Sequence, residues 1–190
     1  MNILVSPLRD GSFYFRSDST LIRALTDFYI PDYVESISAV PVLCFRSERS
    51  GKAVPVRFAH RYIGPFSCGL LLKAAIREDM VSRPDRIFVQ NALDYSTVIP
   101  YELLPLDKLD GYICPSRPFL IKVNGLERIR IEHTPDMQEI SRRFGAISCY
   151  ASVRTGDMLA FELAEPAAVA QGEHLTARFG TGGDISIVIR

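Results

Sequence analysis

Two short apolar runs flank the dipeptide Asn124-Gly125, and this arrangement constrains the fold more than any other part of the chain. The runs cover residues 119–123 (FLIKV) and 127–131 (ERIRI), a usual length for β-strands. Asn-Gly readily adopts the positive φ angles that a two-residue turn between antiparallel strands requires. The segment is therefore predicted to form a β-hairpin.

An amphipathic helix is predicted directly after this hairpin. Thr134 is a good N-cap residue, and Pro135 suits the first helical position because its missing N–H needs no partner there. The helix is expected near residues 136–145. Its apolar stripe consists of Met137, Ile140, Phe144 and Ile147.

Most of the remaining chain has the pattern of short strands separated by polar or glycine-containing turns. Strands are predicted at 42–45, 54–58, 66–76, 158–163, 174–179 and 185–190, with a strand that enters a loop at 86–95. Gly69 indicates a bulge or a close backbone approach. Regular strand–helix alternation does not occur. The predicted fold class is therefore mainly β (α+β), a mixed β-sandwich roll with two or three short helices.

Residues 1–38 are predicted to form an N-terminal hairpin and a helical segment. Asp10-Gly11 separates two apolar runs, which is a strong signal for a hairpin turn. Ser17 and the residues after it can cap a short helix, and a second helical turn is predicted at 33–37. The apolar residues of the first helix would be Leu21, Ile22, Leu25 and Phe28. Residues 39–190 are predicted to form a β-roll domain, and the length of 190 residues favours one compact unit overall.

The charge balance argues against a nucleic-acid partner, because 22 Lys and Arg residues offset 22 Asp and Glu residues. The first apolar run is too short and too soon charged for a signal peptide, and no stretch approaches the roughly 20 apolar residues of a membrane span. A cytoplasmic location without membrane contact is therefore expected. The cysteines form no CxxC pair and are predicted to be buried free thiols. They are Cys44, Cys68, Cys114 and Cys149.

Lys108 is the residue that most suggests a binding site. It follows a long loop interrupted by prolines and precedes the Pro-x-x-Pro turn of Pro115 and Pro118. Long loops braced in this way often line sites, and a lysine in a cleft binds carboxylates or enolates as a point charge. The alternative is an ordinary solvated lysine. The three histidines are isolated from one another and form no metal-binding motif.

Five segments resemble, in the same order, motifs of the fumarylacetoacetate hydrolase family, chiefly of its C-terminal domain. They are the strand 41–47 (PVLCFRS), Lys108 with the following CPSRP turn, 123–125 (VNG) with Thr134 and Met137, the turns Gly156-Asp157 and Gly172-Glu173, and the final strand 183–189. The resemblance implies a β-roll fold and a homodimer. It also implies chemistry on keto or enol acids with a divalent metal, typically magnesium, and a histidine–glutamate pair that activates water.

The residues that this chemistry would require are largely replaced. The family's Glu-x-Glu should fall within 65–72 (PFSCGLLL), which has no carboxylate, and its Asn-Asp falls on Asn91-Ala92. The Asn-Tyr-x-x-His-x-x-Glu motif resembles 28–35, where Tyr29 and Glu35 match and Asp32 replaces histidine. The aspartate after the lysine falls on Gly111, and the Gly-Thr-Pro falls on 162–164 (ELA). No metal or other cofactor is therefore predicted.

These replacements favour a protein with the family's fold whose function is binding rather than catalysis. The expected ligand is a small carboxylate or keto acid, or alternatively a partner chain. Ligand-binding candidates are Lys108, Arg46, Tyr29 and Asn91. A third possibility is a subunit whose active chain is encoded elsewhere. The main alternative is a divergent hydrolase, isomerase or decarboxylase acting on a keto or enol acid. Its catalytic candidates are Lys108, Glu35 and Asp32.

Overall fold

Strands dominate the computed structural model, which describes residues 1–9, 12–22, 27–180 and 183–190. The strands are β1 (Ile3–Ser6), β2 (Tyr14–Arg16), β3 (Leu21–Ile22), β4 (Val34–Ser47), β5 (Ile63–Ile76), β6 (Thr97–Val98), β7 (Phe119–Val123), β8 (Leu126–Ile131), β9 (Met158–Glu162), β10 (Ala167–Val169), β11 (His174–Phe179) and β12 (Gly183–Val188). The α-helices are α1 (Arg86–Asn91) and α2 (Met137–Tyr150), and 3₁₀ turns cover Asp18–Thr20, Val56–Arg61 and Leu106–Lys108. The predicted class, mainly β (α+β), is confirmed.

The larger sheet has the strand order β2-β1-β9-β4-β5-β6-β3, and β10 pairs with β4 beside this path. Its first and last strands, β2 and β3, are separated along the chain only by Ser17 and the 3₁₀ turn Asp18–Thr20. Arg16 of β2 donates to the carbonyl of Leu72 in β5 at 3.1 Å, and the hydroxyls of Thr20 and Thr97 are 3.0 Å apart. Since the two ends of the sheet approach each other, the sheet curls into a roll.

The concave face of the roll carries its own small core. Arg16 lies opposite Ile3 in the antiparallel pair of β1 and β2, so the two side chains are on the same face of the sheet. This is the concave face, because the Arg16 side chain reaches across it to β5. Ile3 belongs to a buried apolar cluster on this face. The cluster consists of Ile3, Val5, Val40, Val42, Cys44, Leu71, Ile99, Met158 and Ala160. This face therefore forms the interior of the roll.

The convex face packs against a second sheet and α2. This four-stranded sheet has the order β12-β11-β7-β8, and β7 and β8 are joined by Asn124 (φ 50°) and Gly125 (φ 80°). The hairpin predicted at this dipeptide is confirmed. Ile140, Phe144 and Ile147 of α2 are buried in the main core, which also confirms the predicted apolar stripe. This core holds most of the large apolar side chains and stabilises the roll from outside.

Several predicted elements near the N-terminus and in the middle of the chain are wrong. Residues 33–37 enter strand β4 instead of a helical turn, because β4 pairs with β5 from Val34 onward. Residues 54–58 are not a strand, since Pro55 leads into a 3₁₀ turn and its carbonyl accepts from Phe58 N. Residues 86–91 form α1 instead of a strand, following a turn in which the Ser82 carbonyl accepts from Asp85 N and Arg86 N.

The N-terminal hairpin is confirmed in its pairing, with Val5 opposite Tyr14. Its turn, Asp10-Gly11, lies outside the described residues, as does Leu25 of the predicted first helix. Leu21 and Ile22 form strand β3 because they pair in parallel with β6, so the helix prediction is wrong there. The proposed division of the chain after residue 38 stays a prediction. No helix among the described residues has the length and apolarity needed to cross a membrane.

Candidate ligand-binding site

One end of the roll opens into a cavity beside Arg46, called here the Arg46 cavity. Arg46 lies on β4 directly opposite Met158 of β9. Side chains on a strand alternate between faces, so Arg46 continues the concave face of Val42 and Cys44 at the point where β4 ends. The cavity has a volume of about 280 Å³. Its lining includes Leu21, Arg46, Pro65, Ile99, Leu103 and Met158.

The Arg46 cavity combines the Arg46 guanidinium with several apolar side chains. The N-terminal ammonium of Met1, which also lines it, lies 3.5 Å from the Asp18 carboxylate. Arg46 is the only charged side chain among the described residues that line it. The guanidinium is exposed, and no described residue forms an ion pair with it. Ile99 and Met158 are buried behind it, only 4% and 5% exposed. Such a site presents five N–H donors to an anion and an apolar surface to whatever is attached to that anion.

A buried carboxylate, Glu162, lies four residues further along β9 from Met158. Its Oε1 accepts a hydrogen bond from the Tyr14 hydroxyl at 2.9 Å and lies 2.6 Å from Lys73 Nζ. Burial, and next the negative charge of Glu162, raise the pKa of Tyr14, so the phenol keeps its proton and remains a donor. Lys73 and Tyr14 therefore compensate a carboxylate that is only 3% exposed.

Arg16 is a second buried cation on the concave face. Its guanidinium donates to the Leu72 carbonyl and to both the carbonyl and the hydroxyl of Ser96. Arg16 Nε is a buried polar side-chain atom that finds no partner among the described residues. Burial lowers the pKa of Arg16 to about 10, which still leaves the guanidinium charged at neutral pH. Arg16 does not line the Arg46 cavity, and its bonds to β5 and to the residue before β6 serve to close the roll.

The architecture matches known structures over its whole length. A fumarylpyruvate hydrolase from Pseudomonas aeruginosa, in complex with Mn²⁺ and pyruvate, aligns with a TM-score of 0.75 at 15% identity, covering 100% of this chain and 89% of that one. The 5-carboxymethyl-2-hydroxymuconate delta-isomerase from Mycobacterium smegmatis aligns at 0.76 and 14%, covering 99% and 78%. A Yersinia pestis CO92 protein, provisionally assigned to the fumarylacetoacetate hydrolase family, aligns at 0.72 and 16%, covering 100% and 92%. The chain has the fumarylacetoacetate hydrolase fold.

These similarities concern three-dimensional structure. No model of a protein family matches the sequence, and no curated protein matches it significantly. The structural alignments establish the fumarylacetoacetate hydrolase fold. At identities of 12–16% they do not establish the activity, which is argued from the residues below.

The donors at the predicted metal position of this fumarylacetoacetate hydrolase fold do not suit a hard divalent cation. Residues 65–72 lie on β5 and contain no carboxylate. Ser67 is hydrogen-bonded to a carbonyl of its own strand, and a Cβ on Gly69 would lie 2.5 Å from the Val98 carbonyl oxygen. Among the described residues, no three His, Cys, Asp or Glu side chains are grouped so that they could hold a metal ion. The Arg46 guanidinium would also repel a dication. That the protein works without a metal stays a prediction.

The other candidate residues lie in different places from Arg46. Asp32 and Glu35 are exposed and border an open groove with Arg77, on strand and loop surfaces outside the Arg46 cavity. Tyr29 is 70% exposed. Asn91 ends helix α1 and does not line the Arg46 cavity, so its role in binding stays a prediction. The structure therefore does not bring these four residues together with Arg46 around one cavity.

Lys108 ends the 3₁₀ turn Leu106–Lys108, which starts after Pro105. Its side chain is exposed, and it forms no ion pair with the residues that the structure describes. Lys108 borders neither the Arg46 cavity nor the groove of Asp32 and Glu35. An exposed lysine at this place favours neither a catalytic nor a binding role, so its participation stays a prediction.

The residues of the buried Tyr14–Glu162–Lys73 cluster were not among the sequence candidates. One signal could have found it, since Lys73 interrupts the apolar run LLLKAAI. A lysine within a buried strand requires a partner, because lysine is almost never buried unpaired. The partner itself, Glu162, is distant in sequence and is identified only by the β4–β9 and β4–β5 pairings.

Proposed function

We propose that the protein binds a small organic carboxylate, of the keto-acid class, in the Arg46 cavity, and that binding rather than catalysis is its function. The observation that carries this proposal is the Arg46 guanidinium, with which no described residue forms an ion pair, at the mouth of a cavity backed by the buried side chains of Ile99 and Met158. The planar guanidinium matches the two oxygens of a carboxylate and can donate two parallel hydrogen bonds to them. An apolar interior gives the rest of the ligand a surface to bury.

Two further observations support the proposal. The Pseudomonas aeruginosa structure with the same fold was obtained with pyruvate, which is a keto acid. The residues that would carry catalysis in this chain are dispersed, with Asp32 and Glu35 on one groove and Lys108 exposed elsewhere. A general base must lie within hydrogen-bond reach of the proton that it removes, so this dispersion disfavours a joint catalytic role.

The proposal is tested by a thermal-shift panel of keto acids followed by calorimetric titration. A ligand that binds only the native state raises the melting temperature by mass action. Arg46→Met is expected to weaken binding about 10-fold or more, since a charge-assisted hydrogen bond contributes about 1.5–3 kcal/mol and each tenfold corresponds to about 1.4 kcal/mol. Arg49→Met is the matched control, because Arg49 is a nearby exposed arginine that does not line the cavity.

Three outcomes decide the matter. A keto acid that binds wild type and Arg49→Met equally, and Arg46→Met at least 10-fold more weakly, supports the Arg46 cavity. Equal affinities for all three proteins contradict it. Lys108→Met in the same titration separates the two cationic candidates, since only the residue that meets the carboxylate changes the affinity when replaced.

A second candidate is a hydrolase or isomerase that acts on a keto or enol acid. It is favoured by the activities named for the aligned structures, a fumarylpyruvate hydrolase and a delta-isomerase. Incubation with fumarylpyruvate, followed by its ultraviolet absorbance with and without Mn²⁺, tests this possibility. Turnover that exceeds the blank and is lost in Arg46→Met would replace the binding proposal by an enzymatic one.

A further inference from the structure

We infer that the Arg46 cavity selects monocarboxylates with a short apolar tail over dicarboxylates. This inference rests on the proposed function and deepens it by naming the ligand class. The ligand's carboxylate lies at the mouth against Arg46, and its tail points toward Ile99 and Met158.

The direction of the bound ligand follows from burial. Arg46 is exposed at the end of β4, whereas Ile99 and Met158 are almost fully buried. A carboxylate placed at the mouth keeps part of its hydration and gains the guanidinium. In the reversed orientation, the carboxylate would lose its hydration among apolar side chains. Burying an unpaired charge is far more costly than burying a methyl group.

Among the described residues, the cavity offers no unpaired cation for a second carboxylate. Apart from Arg46, the described side chains that line it carry no charge. The N-terminal ammonium of Met1, which also lines it, is already 3.5 Å from the Asp18 carboxylate. Further along the concave face, the nearest carboxylate on β9 is Glu162, already bonded to Tyr14 and Lys73. Arg16 is committed to Leu72 and Ser96 and does not line the cavity. A second negative charge inside would therefore find no unpaired cation among the described residues and would lose its hydration beside the buried side chains of Ile99 and Met158.

The volume limits the length of the tail. About 280 Å³ corresponds to roughly nine water molecules at about 30 Å³ each, hence to a ligand of about eight or nine non-hydrogen atoms. A saturated chain of four to six carbons with one carboxylate meets this limit. Met158 and Leu103 at the wall are flexible enough to adapt to a straight or a branched tail.

The test compares pentanoate with glutarate by calorimetric titration of the wild-type protein. The two acids have the same number of carbons, and they differ only in that the terminal methyl group of pentanoate is a second carboxylate in glutarate. Pentanoate is expected to bind at least 10-fold more tightly than glutarate. Decanoate, which is too long for the cavity, is expected to bind more weakly than pentanoate.

A variant adds an independent measurement. Leu103→Trp fills the cavity from its wall and is expected to lower the affinity for pentanoate at least 10-fold, with circular dichroism and melting temperature as the control for folding. The comparison of the two acids on wild type needs no variant, so it decides the inference even where Leu103→Trp does not fold.

The outcomes separate this inference from the proposed function. Glutarate binding as tightly as pentanoate, with loss of both in Arg46→Met, overturns the monocarboxylate selectivity and leaves carboxylate binding at Arg46 intact. It would also point to the N-terminal ammonium of Met1, which lines the cavity, as the partner of the second carboxylate. Failure of every carboxylate and keto acid to bind overturns the proposed function and this inference with it.

Discussion

Glu162 shows how a single buried charge is maintained on the concave face of the roll. Its carboxylate is held by the Tyr14 hydroxyl from β2 and the Lys73 ammonium from β5, each two strands away from β9 in the sheet. A buried ion pair contributes little net stability compared with apolar side chains of the same shape, but removing one partner leaves the other charge uncompensated. The cluster is therefore sensitive to single substitutions.

Glu162→Gln is expected to destabilise the protein by about 3 kcal/mol, because Lys73 loses its counter-charge in a largely buried position. The matched control is Asp184→Asn at the exposed Arg178–Asp184 pair, which should cost less than about 1 kcal/mol. Urea unfolding of both variants gives the comparison. Similar losses at the two pairs would show that Glu162 is not buried as described.

The cysteines were predicted to be buried, and only Cys44 and Cys68 are. Cys114 is half-exposed in the Pro-containing turn, and Cys149 is exposed near the end of α2. Apolar neighbours in sequence do not decide burial in turns or on helix surfaces. Among these thiols, burial raises the pKa of Cys44 and Cys68, whereas bonds from Ser116 and Arg117 lower the pKa of Cys114 to about 7.

Alkylation by iodoacetamide is expected to be fastest at Cys114, with a rate that rises with pH through a midpoint of about 7. The thiolate is the reactive form, and a lowered pKa makes it abundant at neutral pH. Ser116→Ala should shift this midpoint upward, because the hydrogen bond from the Ser116 hydroxyl is the largest cause of the lowered pKa of Cys114. Peptide mass spectrometry after labelling at several pH values gives the profile. An unchanged midpoint in Ser116→Ala would contradict this assignment.

Elements with strong local signals were predicted correctly, and elements set by distant pairing were not. The hairpin at Asn124-Gly125 and the helix after it depend on turn chemistry and periodicity within a few residues. In contrast, the strand character of 33–37 and of Leu21 depends on β5 and β6, which are far away in sequence. At 86–91, β-branched and aromatic residues favour a strand locally, yet Ile87 and Phe88 are exposed on a helix.

The start of α2 illustrates the same limit on a smaller scale. Thr134 was predicted to be its N-cap, but the hydroxyl bonds to the backbone of Ile113. The N-cap is Asp136, whose carboxylate accepts from Glu139 N at 2.7 Å. The helix therefore begins at Met137, two residues later than a cap at Thr134 would place it.

Asp136→Ala is expected to destabilise the protein by about 1 kcal/mol, the usual cost of removing an N-cap side chain. Asp136→Ser is the control, since serine supplies an acceptor at the same position and should retain most of the stability. Chemical unfolding of the two variants is the measurement. An equal loss for alanine and serine would mean that the carboxylate acts in another way than capping.

Gly69 was predicted to mark a bulge or a close backbone approach, and the structure shows the close approach, between β5 and β6. A Cβ there would lie 2.5 Å from the Val98 carbonyl oxygen, closer than such contacts occur. Gly69→Ala is therefore expected to cost about 1–3 kcal/mol, the range for overpacked cores. Ser67→Ala on the same face of β5 is the control and should cost less. If urea unfolding showed a larger loss of stability for Ser67→Ala than for Gly69→Ala, the close backbone approach at Gly69 would be contradicted.

For the whole molecule, the sequence predicted the fold correctly, whereas the absence of a metal and the position of the ligand site stay predictions. The order of the five family-like motifs along the chain was sufficient to indicate the roll, because the resemblance to the family implied that fold. Of the candidate residues, Arg46 alone lines the Arg46 cavity. Which side chains meet across a curled sheet depends on register and curvature, and neither is visible in local patterns.

Millimolar Mg²⁺ or Mn²⁺ is expected to leave the melting temperature unchanged, because residues 65–72 supply no carboxylate and Arg46 repels a cation. Binding to the native state alone would raise it by mass action. Calorimetric scans with and without each metal, and with chelator as the reference, give the answer. A rise of several degrees would contradict the donor argument.

The most direct test of the central claim, that the Arg46 cavity is the ligand site, is an amide NMR titration with pentanoate. We expect saturable chemical-shift changes at Arg46, Ile99, Leu103 and Met158, which line the cavity. Signals of Asp32, Glu35 and Lys108, which do not line it, should remain in place. Shift changes centred on Lys108 or on the groove of Asp32 and Glu35 would contradict the claim, as would the absence of any shift change with both pentanoate and pyruvate.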